Sequence, residues 1–140
     1  SGAVLSHSLR VRFAECDPQG VVFNSRYLEY FDVALTELWR EALGNYDAVM
    51  ADAGLDLVVA EASVRYRAPL RFDDVFEIRA VISRLGTTST ITAFTIVRGD
   101  EITTEGELRH VFVRRDTTDK TEIPAGIKRA AATRPDLAPV

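Results

Sequence analysis

The sequence is poor in the residues that build covalent cross-links and metal centres. It holds one cysteine and two histidines in 140 residues. A lone cysteine excludes an internal disulfide, and with the well-separated His7 and His110 it forms no Cys/His cluster, so no metal site is expected. A reducing, cytoplasmic setting is the simplest context for such a chain. No apolar run approaches the ~20 residues that span a bilayer, and the first residues carry no signal-peptide pattern, so no membrane span is expected. Positive charge is in deficit: 17 Lys and Arg stand against 21 Asp and Glu, which argues against a nucleic-acid partner. There is no G-x-S-x-G elbow, P-loop or dinucleotide fingerprint, which disfavours serine-hydrolase chemistry and nucleotide cofactors. A hydrophobic content of 46% is nevertheless enough for a real core, and the length suits one domain over residues 1–140, with about 125–140 as a C-terminal tail.

What is present is organised around residues 16–44. Asp17 and Pro18 favour a turn, and Gly20 allows a close backbone approach. Asn24 is a good N-cap, Gly44 suits a helix stop, and Tyr27, Leu28, Phe31, Ala34, Leu35 and Leu38 recur at three-to-four-residue steps between them. The spacing predicts a helix of about 20 residues, roughly 30 Å long. Its breadth of apolar surface, with Tyr30 and Trp39 added, means that something must wrap it. A second, short helix is expected over 46–53, capped by Asn45 and stopped by Gly54.

The rest alternates with the period of strands. Residues 8–16 read as a half-buried strand, with Leu9, Val11 and Phe13 inward and Arg10, Arg12 and Glu15 outward. Residues 57–67 place Val58, Ala60, Ala62, Val64 and Tyr66 on one side. Further strands are expected over 76–82, 88–97 and 102–113, the last two joined at Gly99-Asp100. Short spacers suit an antiparallel meander, and one helix with five such strands is α+β.

Chemistry concentrates where the turn meets the long helix. The first helical turn offers unpaired N–H groups and the positive end of the macrodipole, and the Asp17 carboxylate lies just upstream. Backbone donors can hold an oxyanion while a carboxylate attacks a carbonyl or activates water, a kit for acyl transfer or hydrolysis. The plainer reading makes Asp17 a turn opener and Asn24 a cap. Cys16 reads as packing, because no nearby histidine would activate it. His110, with Leu108 and Phe112 as same-face neighbours, reads as a hydrogen-bonded structural histidine.

The run Asp17-x-x-Gly20-Val21-Val22-Phe23-Asn24-x-x-Tyr27-Leu28-x-Tyr30-Phe31-Asp32 resembles the signature of the 4-hydroxybenzoyl-CoA thioesterase family, and the likeness extends through residues 64–74 to 110–113. The resemblance implies a hotdog fold, a five-stranded antiparallel sheet wrapped around one long central helix. It implies hydrolysis of an aromatic or aliphatic acyl-CoA to free acid and thiol, with coenzyme A as part of the substrate and no separate cofactor. Relatives form dimers and often homotetramers with the pocket at the subunit boundary. By the same resemblance Asp17 is the nucleophile or general base, and the backbone N–H of Asn24 polarises the thioester carbonyl. Gly20 and Val21 shape the turn, while Phe23 and Tyr27 wall the pocket. Glu61, the one charge among Val59, Ala60 and Ala62, is either an exposed sheet residue or a second carboxylate offered to a partner's pocket. Where the family has a basic run for the nucleotide, residues 86–88 are neutral, which leaves an acyl carrier protein open as the thiol donor. A non-catalytic acyl-CoA or lipid-binding hotdog module is the alternative. A hydratase is disfavoured because no histidine lies between Cys16 and Gly44.

Overall fold

The computed structural model describes residues 4–132. In chain order these form β1 (Val4–Arg10), a 3-10 turn (Phe13–Glu15), α1 (Arg26–Leu43), α2 (Tyr46–Ala53), β2 (Leu55–Tyr66), β3 (Val75–Leu85), β4 (Ser89–Arg98), β5 (Glu101–Arg114) and α3 (Ala125–Ala131). The strands make one antiparallel sheet in the order β1-β3-β4-β5-β2, with α1 against its inner face, the hotdog arrangement.

The helix is where periodicity placed it. Phe31, Ala34 and Leu38 are fully buried, and Tyr27, Tyr30, Leu35 and Trp39 are nearly so, a broad stripe that the sheet covers. Gly44 ends the helix in the left-handed region (φ +73°), its N–H bonding the Arg40 carbonyl at 2.8 Å. Asn45 caps α2 through Ala48 N–H, and Gly54 stops it, both as expected. The N-cap of α1, however, is Ser25 and not Asn24, and no side chain caps it.

Three departures from simple alternation matter for the site. The first strand ends at Arg10, earlier than expected, and the following 3-10 turn has a period of three. Phe13 therefore points outward, 78% exposed, and Glu15 inward, 7% exposed, the reverse of the sides expected for them. Second, β2 carries a bulge: Val59 opposes His110 and Glu61 opposes Arg109, so Ala60 is extra. The bulge resets the alternation, leaving Val58 on the outer face with Val111 while Ala62, Val64 and Tyr66 share the inner face with Leu108, Gly106 and Thr104. Third, only β3, β4 and β5 form a meander. Beyond β2 the chain crosses to the far side of the sheet through residues 67–74, with Leu70 fully buried on the way.

α3 packs on α1, burying Ile127 and Ala131, so the first part of the expected tail belongs to the core; residues 133–140 lie outside the described residues.

The Phe31 side chain of α1 lies directly over Gly106 of β5. A Cβ there would come within 2.8 Å of the Ser63 carbonyl oxygen and would run into the Phe31 ring. Gly106→Ala is therefore expected to cost about 1–3 kcal/mol through overpacking. Denaturant unfolding measures this, and an unchanged midpoint would contradict the packing described.

Candidate active site

Residues 16–24 form a compact hairpin-like unit leading into α1. Cys16 bridges Val22, and Val21 bridges Arg71. Asp17 N–H donates to Val21 carbonyl (2.9 Å), Phe23 N–H to Glu15 carbonyl (3.0 Å) and Val22 N–H to Leu70 carbonyl (2.8 Å). At the tip, Gly20 N–H bonds the Asp17 carbonyl at 2.9 Å with Gly20 at φ +80°, the conformation that glycine tolerates. Asp17 is half-buried. Its Oδ1 accepts from Gln19 N–H at 2.9 Å, and Oδ2 has no hydrogen-bond partner among the described residues.

The start of α1 is held just as firmly. The Phe23 carbonyl accepts from Arg26 N–H at 2.9 Å. Because the peptide is planar and trans, that bond also fixes the Asn24 N–H, which points the opposite way. The Asn24 N–H has no partner among the described residues. Its carbonyl is taken up by the Tyr66 hydroxyl at 2.9 Å. Val22, Asn24, Tyr27, Tyr66 and residues 67–69 line an open cavity of about 240 Å³ at this point. Tyr27 is nearly fully buried, packed edge-on against Tyr66 (5.2 Å between ring centroids), and its hydroxyl accepts from Leu70 N–H at 3.3 Å. It is both wall and support.

The other expected site residues are more dispersed. Gly20 is exposed, Val21 half-buried, and Phe23 exposed at the surface of the unit. Asp17 does not line the Asn24 cavity. Glu61 stands on the outer sheet face, far more exposed than buried, 3.5 Å from Arg109. The Cys16 thiol is held above its usual range by burial and by the Glu15, Asp17 and Asp74 carboxylates, which fits packing and not nucleophilic attack. Among the described residues no group of three His, Cys, Asp or Glu side chains could hold a metal ion. No described helix is long and apolar enough to cross a membrane.

Sequence reasoning missed Glu15. It accepts from Arg12 N–H at 2.8 Å, from Arg12 Nε at 2.9 Å and from the Tyr30 hydroxyl at 2.8 Å. This ties the Asp17 loop to the second turn of α1. The readable signal was the spacing of Arg12 and Glu15, that of a capping box without the usual Ser or Thr. Burial alone would raise the Glu15 pKa, but the hydrogen bonds and the Arg12 charge outweigh it and hold the carboxyl below its ordinary value of 4.5. In turn, burial and the Glu15 carboxylate push the Tyr30 hydroxyl far up, so it stays a donor.

A second cavity, about 270 Å³, lies between the middle of α1, α2 and the first half of β2. Leu35, Trp39 and Met50 give it apolar walls, and Asp32, Thr36 and His110 add polar ones. His110 is 4% exposed, and its Nδ1 has no hydrogen-bond partner among the described residues, contrary to the bonded histidine expected.

Because the folded Glu15 pKa is depressed, its contribution to stability is full above the ordinary carboxylate range and is lost as pH falls through and below it. Glu15→Gln should cost about 1–3 kcal/mol at pH 7, a gap that closes on acidification. Urea unfolding between pH 7 and pH 3 reads this, and a pH-independent gap would refute it.

A family model described as the thioesterase-like superfamily matches residues 11–131. The acyl-CoA thioester hydrolase YbgC of Escherichia coli is 33% identical over 92 residues, covering 66% of this chain and 68% of that one. The structure of BH1999 gentisyl-coenzyme A thioesterase is similar with a TM-score of 0.81 at 25% identity, over 90% of this chain and 98% of that one. A mutant 4-hydroxybenzoyl-CoA thioesterase complexed with 4-hydroxybenzoyl-CoA reaches a TM-score of 0.84 over 93% and 99% of the two chains, at an identity of 17% that speaks for the fold alone. Sequence and fold thus agree across almost all of the described residues, and the chain belongs to the thioesterase-like superfamily.

Proposed function

We propose that this protein is an acyl-CoA thioesterase that uses Asp17 and the backbone amide of Asn24. The observation that carries the reading is the Asn24 N–H, fixed in direction by the Arg26–Phe23 bond and left unpaired at the start of α1. A thioester carbonyl oxygen seated there would meet a preorganised donor and the positive end of the helix, where negative charge grows in the transition state. Asp17, with one carboxylate oxygen uncommitted, supplies the other half of the reaction. As a base it takes a proton from water, whose oxygen attacks the thioester carbon; as a nucleophile it attacks directly and water opens the resulting anhydride. Either way the C–S bond breaks, and thiol and free acid leave. Gly20 and Val21 hold the turn, and Phe23 and Tyr27 border the acyl path. Glu61 would serve, through its pairing with Arg109, at the rim that a second subunit meets.

The working unit is a homodimer in a reducing, cytoplasmic compartment. β2 is an edge strand, and residues 58–63 are all exposed, among them Val58, Val59, Ala60 and Ala62. An apolar open edge calls for a partner. The other edge, β1, exposes Ser6, Ser8 and Arg10. Antiparallel pairing of β2 with a second β2 covers the edge, and two such dimers would build the homotetramer. Coenzyme A is the thiol partner that best fits the relatives; an acyl carrier protein is the alternative.

In a thiol-release assay over aromatic and aliphatic acyl-CoAs, Asp17→Asn should lower kcat by roughly 10²–10⁴-fold. Asn24→Ala, which keeps the amide, should stay within a few-fold of wild type. Wild-type protein that binds acyl-CoA without releasing thiol would instead make this a binding module. Val59→Lys should shift the protein toward monomer in sedimentation analysis and reduce turnover with it; a fully active monomer would overturn the dimeric site.

A further inference from the structure

We propose that the ion pair of Arg98 and Asp74 positions the amide donor at the start of α1 and thereby sets the rate of thioester cleavage. This rests on the thioesterase reading and adds two positioning residues to it.

Arg98 ends β4, and its guanidinium reaches the crossover 67–74. Nη1 donates to the Pro69 carbonyl at 2.9 Å and to Asp74 Oδ2 at 2.8 Å, while Nη2 donates to Glu101 Oε1 at 2.6 Å. Asp74 Oδ2 also accepts from Arg71 N–H at 2.8 Å. The two side chains are 28% and 27% exposed, which sets them apart from a fully solvated surface pair. Burial alone would raise the Asp74 pKa. The Arg71 N–H and the Arg98 guanidinium outweigh it and hold the carboxyl below its ordinary value, so the pair is charged at neutral pH.

Two planar peptides carry this constraint to the site. In the Pro69–Leu70 peptide, Arg98 holds the carbonyl, and the N–H on the opposite side donates to the Tyr27 hydroxyl at 3.3 Å. In the Leu70–Arg71 peptide, Asp74 holds the N–H, and the carbonyl on the opposite side accepts from Val22 N–H at 2.8 Å. Each peptide thus has one edge on the ion pair and the other on the site. Tyr27 lies in the first turn of α1, and Val22 stands two residues before Asn24. Two supports of the helix start therefore take their direction from one guanidinium and one carboxylate. The entry is held as well: the Asp74 carbonyl accepts from Val11 N–H at 2.8 Å, on the stretch that leads to Asp17.

Neither side chain lines the cavity at Asn24, so the effect is one of placement. Arg98 belongs to an interior strand, paired with β3 on one side and β5 on the other. Charge-assisted bonds from a planar fork on such a strand fix an orientation more firmly than neutral bonds within a loop. Placement matters most in the transition state. A displaced amide still admits the ground-state thioester but meets the growing oxyanion badly.

Thiol release from acyl-CoAs, together with backbone amide exchange, tests this on the intact protein. Arg98→Met and Asp74→Asn should each lower kcat by roughly 10–100-fold while KM stays within about three-fold. The double variant should lose little more than either single one, because the pair acts as a unit. Arg98→Lys, which keeps the charge, should recover part of the rate. Glu101→Gln removes the acceptor of Nη2 and leaves both Nη1 bonds in place, so its kcat should match wild type. The Val22 amide should exchange faster in Arg98→Met than in wild type, while the amides of β3 keep their protection. Wild-type kcat in Arg98→Met and Asp74→Asn, losses that multiply in the double variant, an equal loss in Glu101→Gln, or unchanged exchange at Val22 would each overturn the positioning role and leave the thioesterase reading intact. Absence of thiol release from the wild type would overturn both. Should Arg98→Met fail to fold, Asp74→Asn, which keeps the side-chain shape and an acceptor for Arg71 N–H, still decides.

Discussion

The structure depends on how closely α1 can lie on the sheet. Phe31 is the contact that sets this distance. Its ring stacks on Phe94 at 4.6 Å and nearly parallel, and it occupies the space that Gly106 leaves by having no side chain. A bulkier floor would lift the helix and with it everything fastened to its N-terminal end. Tyr27, Tyr30 and the amides of the preceding turn all take their positions from that height. The site is thus placed by a tight core contact one turn further along the helix as well as by the hydrogen bonds within the loop.

Two carboxylates in this loop show how environment divides labour. Glu15 and Asp17 are two residues apart. Glu15 is enclosed and accepts three hydrogen bonds, so its charge is spent on structure. Asp17 sits at the partly open tip and accepts one, from Gln19. A group already satisfied by the protein has little left for a substrate, whereas one with an idle oxygen does. The same contrast separates the two tyrosines that face the helix start. Tyr27 supports Leu70 from within the core, and Tyr66 steadies the Asn24 carbonyl from the exposed side.

Much of this was legible in the amino-acid sequence, and the failures have common causes. The 3.6-residue stripe of α1 and the glycines at 44 and 54 act locally, so they could be read locally. The alternation over residues 76–82 of β3 was equally clear, because every second side chain there is buried. What escaped were events defined by a distant partner. Ala60 is a bulge only because His110 and Arg109 set the register opposite it. Glu15 turns inward because Tyr30, fifteen residues on, offers a hydroxyl. Leu70 looked like loop and is core, since the crossover must pass beneath the helix start. At the site, the Asp17 turn and the importance of position 24 were readable. The cap was misplaced by one residue, because the bond that organises this turn runs from Arg26 to the Phe23 carbonyl and uses no side chain.

The bulge in β2 has a consequence for what the exposed edge will accept. An uninterrupted apolar edge is an indiscriminate template that welcomes any extended peptide, including growing cross-β stacks. The kink at Ala60 spoils that template for every sequence lacking a matching irregularity in a symmetry-related place. The strand's backbone shape, with Glu61 as the one charge in its apolar stretch, therefore discourages fibril growth along this edge.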